Sequence, residues 1–592
     1  MRRRRRISPL LVLLPVAALV IGGCSGIPSD STPQVVKTLP AVEQPSVPVL
    51  KGPSRDAVPR EIVNGFLAAN VTNDAEHTVA QQFLTADARS KWTSSTVTVV
   101  ADLPRVSTPD GDVITVTADK VNGRLDSSGL YTPTLATRGG VASQQFRFTL
   151  ARGADHQWRI SDLPAGLIVT EEAFETSYSK DRTLYFFDSS SSHLIPDVRY
   201  TAVEGQSLSS WLLDELLAGP RPGLPSTVAV SALPPVDQRD ASATLTGSGS
   251  LTINLPGVSN VDPTALTRIA AQLAFTYESA GQDSSIRIVD GSKPITVSGS
   301  LTTFTSEDFT SFSTTPNGSP VSYYLKGGLL YEDTASNSAQ LVSGTFGSGR
   351  VPLRSVAVRA GQANDAEVAG VRSDTGQLVL GSQRSSQVNA VTLPAGPLSR
   401  PEWDPVTRQV WIGAGKNLEV VNTDGVAQSV KLVTLQGPLP ATPYAVKAVR
   451  LSPERSRIAL VLGTASASSV WIGAVNASTN RIEVDALTQI SPDSQVAADL
   501  GWSLPTALTI IGSAAGTGDL QIWTEQVDGA INTLVPTTGL PGAPTAIATN
   551  PSADPIVSTG APALWQQTGP GASWVALGGK GQLTGMAPIF AI

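Results

Sequence analysis

The chain has 592 residues, 41% hydrophobic and only 15% charged, with 42 Lys+Arg against 49 Asp+Glu and a single cysteine. A net charge of −7 excludes electrostatic capture of nucleic acid as the main task of the surface. One thiol excludes a disulfide framework, and the length allows roughly two to four domains with cores of their own.

Met1 is followed by five arginines, Arg2 to Arg6, then by apolar runs at Leu10–Leu14 and Val16–Ile21. About a dozen apolar residues are too few to span ~30 Å of hydrocarbon comfortably. A basic start, a short apolar stretch and small residues at its end predict a secretory signal peptide over residues 1–23. It ends in Ile21-Gly22-Gly23-Cys24, which resembles the bacterial lipobox. That resemblance implies cleavage between Gly23 and Cys24, S-diacylglycerol on the Cys24 thiol, and an N-acyl group such as palmitate on the new amino terminus. Two or more acyl chains, at ~0.8 kcal/mol per buried CH₂, give stable anchoring where one does not. Loss of the five arginines leaves 37 basic against 49 acidic side chains, a net of −12. Such a surface is repelled by anionic lipid, so the lipid holds the chain on the outer face of the plasma membrane. The export route, Sec or Tat, stays open.

Residues 24–56 predict a proline-rich tether, with Pro28, Pro33, Pro40, Pro45, Pro48 and Pro53 favouring extended segments. Residues 57–181 predict an N-terminal α+β domain. Ile62, Phe66 and Ala69 share a helical face, and a second helix after Asn73-Asp74 is expected to carry Val79, Phe83 and Leu84. Strands follow at Thr96–Ala101, Val113–Val121, Gln144–Ala151 and Gln157–Ile160. Helices ahead of a curved antiparallel sheet resemble an NTF2-like unit.

Residues 182–297 predict a second α+β domain. A strand at Leu184–Asp188 turns through serines back along His193–Tyr200. A helix with Ser207 as its cap stops at Gly219-Pro220, and strands Val228–Leu233, Ala243–Leu245 and Leu251–Leu255 follow. A helix capped by Asp262, with Pro263 at its first position, precedes a strand at Ser285–Val289. This order resembles the GerMN domain, most visibly at Leu216–Pro220.

Residues 298–320, rich in Ser and Thr, predict a linker. Beyond it Asp404-Pro405, Ser452-Pro453, Leu504-Pro505 and Asn550-Pro551 recur, each ahead of an apolar run ending in glycine. Trp471, Trp523 and Trp565 repeat further on, and Asp424-Gly425 and Asp528-Gly529 suit hairpin turns. A period near ~45 to 50 residues with several short strands predicts an all-β propeller of about six blades over residues 321–592.

No catalytic constellation emerges. His77, His156 and His193 sit in separate neighbourhoods without metal-ligand spacing and read as surface or turn residues. Asp110-Gly111-Asp112 reads as a solvated loop and Gly578-Gly579-Lys580-Gly581 lacks the spacing of a phosphate loop. Glu171-Glu172, and Asp188 opposite Asp197, read as exposed strand ends rather than acid/base pairs. The repeated tryptophans read as packing between blades rather than a sugar-stacking ring. Neither a metal nor a cofactor is expected.

The lipobox, two α+β domains and propeller together resemble the LpqB family of actinobacterial lipoproteins, most specifically at Gln157–Pro164, Leu184–Asp188 and Leu216–Pro220. The resemblance implies a non-enzymatic, membrane-anchored accessory that contacts the extracytoplasmic region of the sensor histidine kinase MtrB. Through MtrA it would tune genes of the cell envelope and division. Only Cys24 carries over residue by residue. The alternatives are an envelope enzyme acting on glycan or peptide, or a glycan-binding protein, at the propeller mouth, and a solute-binding lipoprotein.

Overall fold

The computed structural model describes residues 51–592 except 72–76, 136–142, 179, 181, 248, 283–284, 314–320, 334–338, 362–364, 405–406, 442, 479–480, 492–494, 515–517, 570, 572 and 579–582. Residues 51–592 form one compact unit. Gly23, Cys24 and most of the predicted tether lie outside the described residues, as does Lys580. No described helix is long and apolar enough to cross a membrane.

The first domain already holds residues predicted as tether. The Asp56 N–H donates to Gln157 Oε1 at 2.6 Å and Ala57 is buried in the domain core. Helix α1 (Pro59–Ala69) has proline at its first position, where no N–H is needed, and buries Ile62, Val63, Phe66 and Ala69. The predicted second helix is replaced by two short ones, α2 (Thr78–Gln81) and α3 (Ala86–Lys91). The break falls at Thr85, whose hydroxyl accepts the Ala88 N–H and restarts the helix, while Phe83 and Leu84 turn into the core.

Two four-stranded sheets complete this domain. One places Val97–Val100 between Val121–Leu125 and Leu167–Thr170, with Tyr131–Pro133 outermost. The other runs Arg105–Val106, Val113–Ala118, Gln144–Arg152, Trp158–Asp162. Ile114, Val116 and Ala118 alternate inward with the two-residue period of a half-buried strand. The predicted strand Val113–Val121 is thus two strands in different sheets. Glu171-Glu172 is no strand end. It opens α4 (Glu171–Tyr178), where carboxylates face the positive end of the helix dipole.

In the second domain Leu184–Asp188 lies between Leu194–Asp197 and Ala229–Val230. Asp197 is opposite Leu184 and Asp188 adjoins the turn, so the hairpin register places the two aspartates at opposite ends rather than face to face. Helix α5 (Gly205–Ala218) starts two residues before the predicted cap and ends at Gly219, with φ 93°. Helix α6 (Pro263–Ser279) is capped as its sequence indicates, the Asp262 side chain accepting the Thr264 and Ala265 N–H groups. The second sheet runs Ser242–Leu245, Leu251–Asn254, Ile286–Asp290, Lys293–Pro294.

Residues 298–313 do not behave as a free linker. Phe304 bridges to Ile286, a 3-10 helix spans Ser306–Phe312, and Phe304 and Phe309 are buried in the second domain's core. Phe312 meets the Phe187 ring edge-on at 5.2 Å. Three phenylalanines in a Ser/Thr-rich stretch dock it, and average composition hides them.

The C-terminal region contains six four-stranded blades among the described residues. Blade 1 is closed by the chain's two ends: Ser322–Lys326 pairs with Leu329–Asp333 on one side and with Met586–Phe590 on the other. The remaining blades begin at Leu353, Glu402, Ala445, Gln495 and Pro544. Each innermost strand packs on the next, and Met586–Phe590 returns to Leu353–Arg359, closing the ring. The outer strands of blades 3 and 4, Ala427–Thr434 and Arg481–Gln489, also pair in parallel and fuse the two into an eight-stranded sheet. Ser452-Pro453, Leu504-Pro505 and Asn550-Pro551 mark the end of the innermost strand of blades 4 to 6, Asp404 follows that of blade 3 while Pro405 lies outside the described residues, and Gly425 and Gly529 take the positive φ of hairpin turns.

Candidate functional site

The three domains share one apolar core. Val97, Tyr131, Phe174 and Tyr178 of the first domain meet Val198 and Tyr200 of the second. All pack on a cluster from blades 4 and 5 that includes Trp502 and Val527. Tyr200 is the pivot. Its ring lies 5.4 Å from Phe174 and 6.5 Å from Tyr131. Its N–H donates to Gly129 O of the first domain at 2.9 Å, and its hydroxyl donates to Asp528 Oδ1 of the propeller at 3.1 Å. Gly129 is required there: φ is +75°, and a Cβ would fall 2.7 Å from Tyr200 O and 2.9 Å from the Trp211 ring.

Beside this core lies a buried ionic network. Asp197, fully buried, accepts Arg199 Nη2 at 2.9 Å, the Arg221 backbone N–H at 2.9 Å and Arg221 Nε at 2.5 Å. Arg199 Nη1 donates to Ser128 O of the first domain at 2.9 Å and to Glu215 Oε2 at 3.2 Å. Arg221 Nη2 donates to Val198 O, and Asp528 of the propeller further favours the charged guanidinium. Burial pushes the Asp197 carboxyl up, but Arg221 and Arg199 together hold it down at about 2. Burial dominates at Glu215, raising it to about 7 against the pull of Arg199.

A second cluster lies in the propeller channel, where a cavity of about 410 Å³ is lined by Arg400, Glu402, Arg450 and Trp502 among others. Arg450 Nη2 donates to Asp499 Oδ1 at 3.0 Å and its Nη1 is 3.9 Å from Glu402 Oε2. Arg400 Nη1 lies 3.8 Å from Asp499 and donates to the Ile547 and Pro588 carbonyls. Burial raises Glu402 to about 8, with Arg400 opposing and Asp499 adding to the rise. Both carboxylates therefore face guanidinium groups, an arrangement that braces neighbouring blades. The inner-strand tryptophans brace likewise: Trp403 Nε1 donates to Ala357 O of blade 2, and Trp502 Nε1 to Arg450 O of blade 4.

Two of the three repeated tryptophans also pack. Trp471 is buried in the core between blades 3 and 4, and Trp565 lies against that between blades 5 and 6. The histidines stay apart. His156 is an exposed turn residue with φ +59°, and His193 Nδ1 lies 3.4 Å from Asp188 Oδ2 at the end of its hairpin. His77, expected at the surface, is buried at 6% exposure as the αL cap of α2. No cluster of three potential metal ligands occurs among the described residues.

Sequence reasoning missed the junction residues. Asp528 read only as a turn former, and Asp197 only as a strand end. The available signal was Asp197-Val198-Arg199, a carboxylate closing the otherwise apolar strand Leu194–Asp197 with a guanidinium two residues on.

Residues 52–175 match the family described as the N-terminal domain of lipoprotein LpqB, and residues 328–591 match the lipoprotein LpqB beta-propeller domain. Lipoprotein LpqB of Mycolicibacterium smegmatis is 31% identical over 428 residues, 68% of this chain and 69% of that protein. Lipoprotein LpqB of Streptomyces avermitilis is 26% identical over 575 residues, 89% of this chain and 90% of its own length. That of Rhodococcus jostii is 26% identical over 470 residues, covering 76% of each. The relatives' names give a lipoprotein and not an activity. With both domain families in place and a relative this similar over two thirds of each chain, the chain belongs to the LpqB lipoprotein family.

Proposed function

We propose that the chain is anchored by lipid at Cys24 to the outer face of the plasma membrane, where it binds the extracytoplasmic region of a sensor histidine kinase. The sensor is of the MtrB type, and binding tunes signalling that controls cell envelope and division. The observation that carries this reading is the core shared by all three domains. It makes residues 51–592 one body able to present a composite surface to a partner, rather than a string of independent modules. The family membership supports the lipoprotein character, and the resemblance supplies the sensor.

The tether sets the reach. Taken as an extended tether ahead of the unit 51–592, residues 25–50 would span at most about 80 Å at ~3.1 Å per residue. Sensor and accessory held on one membrane gain effective concentration, so a weak pairwise affinity suffices. Residues 25–592 produced without the leader should bind the isolated sensor region yet complement a deletion poorly at native expression. Full complementation by this unanchored chain would refute the mechanism, and failure of the two proteins to bind would refute the partner.

The anchor has its own test. Cys24→Ala chains carrying a cleavable replacement leader should move from the membrane pellet to the soluble envelope fraction after a high-salt wash. Retention in the pellet would show that something other than acylation holds the protein.

A further inference from the structure

A cavity of about 350 Å³ opens where the three domains meet, within the range of roughly 300–1,000 Å³ typical of small-molecule sites. Its walls are apolar and come from all three: Leu130 and Tyr131 from the first, Val198 and Leu224 from the second, Ile472 and Val527 from the propeller. Thr132, Gln436 and Thr488 add a few polar groups.

Four charged residues touch it: Asp126, Arg221, Arg457 and Asp528. Each is already engaged. Arg221 is held by Asp197, and Arg457 Nε donates to Glu454 Oε1 at 2.6 Å while its guanidinium lies 5.2 Å from the Trp502 ring centre. Asp528 Oδ1 accepts the Tyr200 hydroxyl and the Ala530 N–H. Asp126 Oδ1 accepts the Ser128 and Leu130 N–H groups. Both guanidinium groups are thus already matched by Asp197 and Glu454, and the Oδ1 atoms of Asp126 and Asp528 by N–H and O–H donors, so an ionic ligand would find no free counter-charge in a partly desolvated site. A neutral ligand gains apolar contact at no such cost.

We infer that this cavity binds a small, neutral, predominantly apolar molecule bearing at most one or two hydrogen-bonding groups. Because its walls belong to three domains, the ligand favours the docked arrangement over any opened one by mass action. Occupancy of the cavity is thereby linked to the geometry of the composite surface.

The test uses residues 25–592 and the neutral fluorophore prodan. One saturable site is expected, with a thermal midpoint that rises as prodan is added. Leu130→Trp and Ile472→Trp, on walls from different domains, should each weaken binding by at least about tenfold by filling the space. Ile472→Val should leave affinity within about twofold. The anionic dansylglycine, of similar size, should bind more weakly than prodan. Each filling variant is first checked for cooperative unfolding, and either one that folds suffices to read the site. No saturable binding, undiminished binding by a folded filling variant, or tighter binding of dansylglycine would overturn the inference.

Discussion

Replacing Asp197 by alanine is expected to cost about 3–5 kcal/mol of stability, the usual result of removing one partner from a buried ion pair. The penalty is not the lost attraction alone. Arg199, almost wholly buried, and Arg221, largely so, would keep their charges in a region that water barely reaches. The damage should also spread between domains, since Arg199 reaches Ser128 O in the first and Asp528 of the propeller acts on Arg221. Denaturant titration should show a lower midpoint, and limited proteolysis should newly release the first domain from the rest. The acid limb gives a second signature. The Asp197 carboxyl is held near about 2 in the folded chain against an ordinary 3.8. Its stabilising contribution, about 2 kcal/mol, is thus complete above pH ~4 and lost as pH falls towards ~2. Asp197→Ala should lack that limb. A variant as stable as the parent, with the same acid profile, would show that the network is ornamental.

Much of the architecture was legible because it is local. The X-Pro turns at Ser452-Pro453 and Asn550-Pro551 recur wherever an innermost blade strand ends, and a turn imposes the same chemistry each time. The caps Asp262-Pro263 and Gly219-Pro220 fixed ends of α6 and α5 for similar reasons. What was not legible depends on distant partners. Nothing near Met586 marks it as the innermost strand of a blade begun at Ser322, because the pairing crosses the whole propeller. Phe304, Phe309 and Phe312 looked like stray residues in a polar stretch until the second domain supplied their pocket. The junction is the extreme case. Tyr200 and Asp528 are 328 residues apart, and no periodicity within either segment foretells their contact. Asp188 and Asp197 were misjudged for a simpler reason, since their relation is set by hairpin register and a turn four residues long sends them to opposite ends.

Stability should fall as pH rises from about 4.5 to 8, and Glu525→Gln should remove a large part of that fall. Glu525 lies on the strand Gln521–Gln526 of blade 5, opposite Leu508 on one side and Asn532 on the other. It is 0% exposed, and neither carboxyl oxygen has a hydrogen-bond partner among the described residues. Burial, reinforced by the nearby Asp528 charge, raises it from 4.5 to about 8. The folded chain therefore keeps the proton that the unfolded chain gives up above pH ~4.5, and folding becomes less favourable until the folded carboxyl ionises too. Integrated over that interval the loss is on the order of 3–5 kcal/mol. Glutamine matches the neutral acid in shape and does not titrate. Urea midpoints of Glu525→Gln should equal the parent's near pH 4 and exceed them increasingly towards pH 8. A residual slope should survive, because Glu402 in the channel is raised by burial in the same sense. Ionised Glu525 would also stand beside Asp528, the residue that receives the Tyr200 hydroxyl, so the docked domains should become more susceptible to protease at pH 8 in the parent than in the variant. Parallel pH profiles for the two proteins would mean that Glu525 ionises freely, and that its strand is less closed to water than its burial indicates.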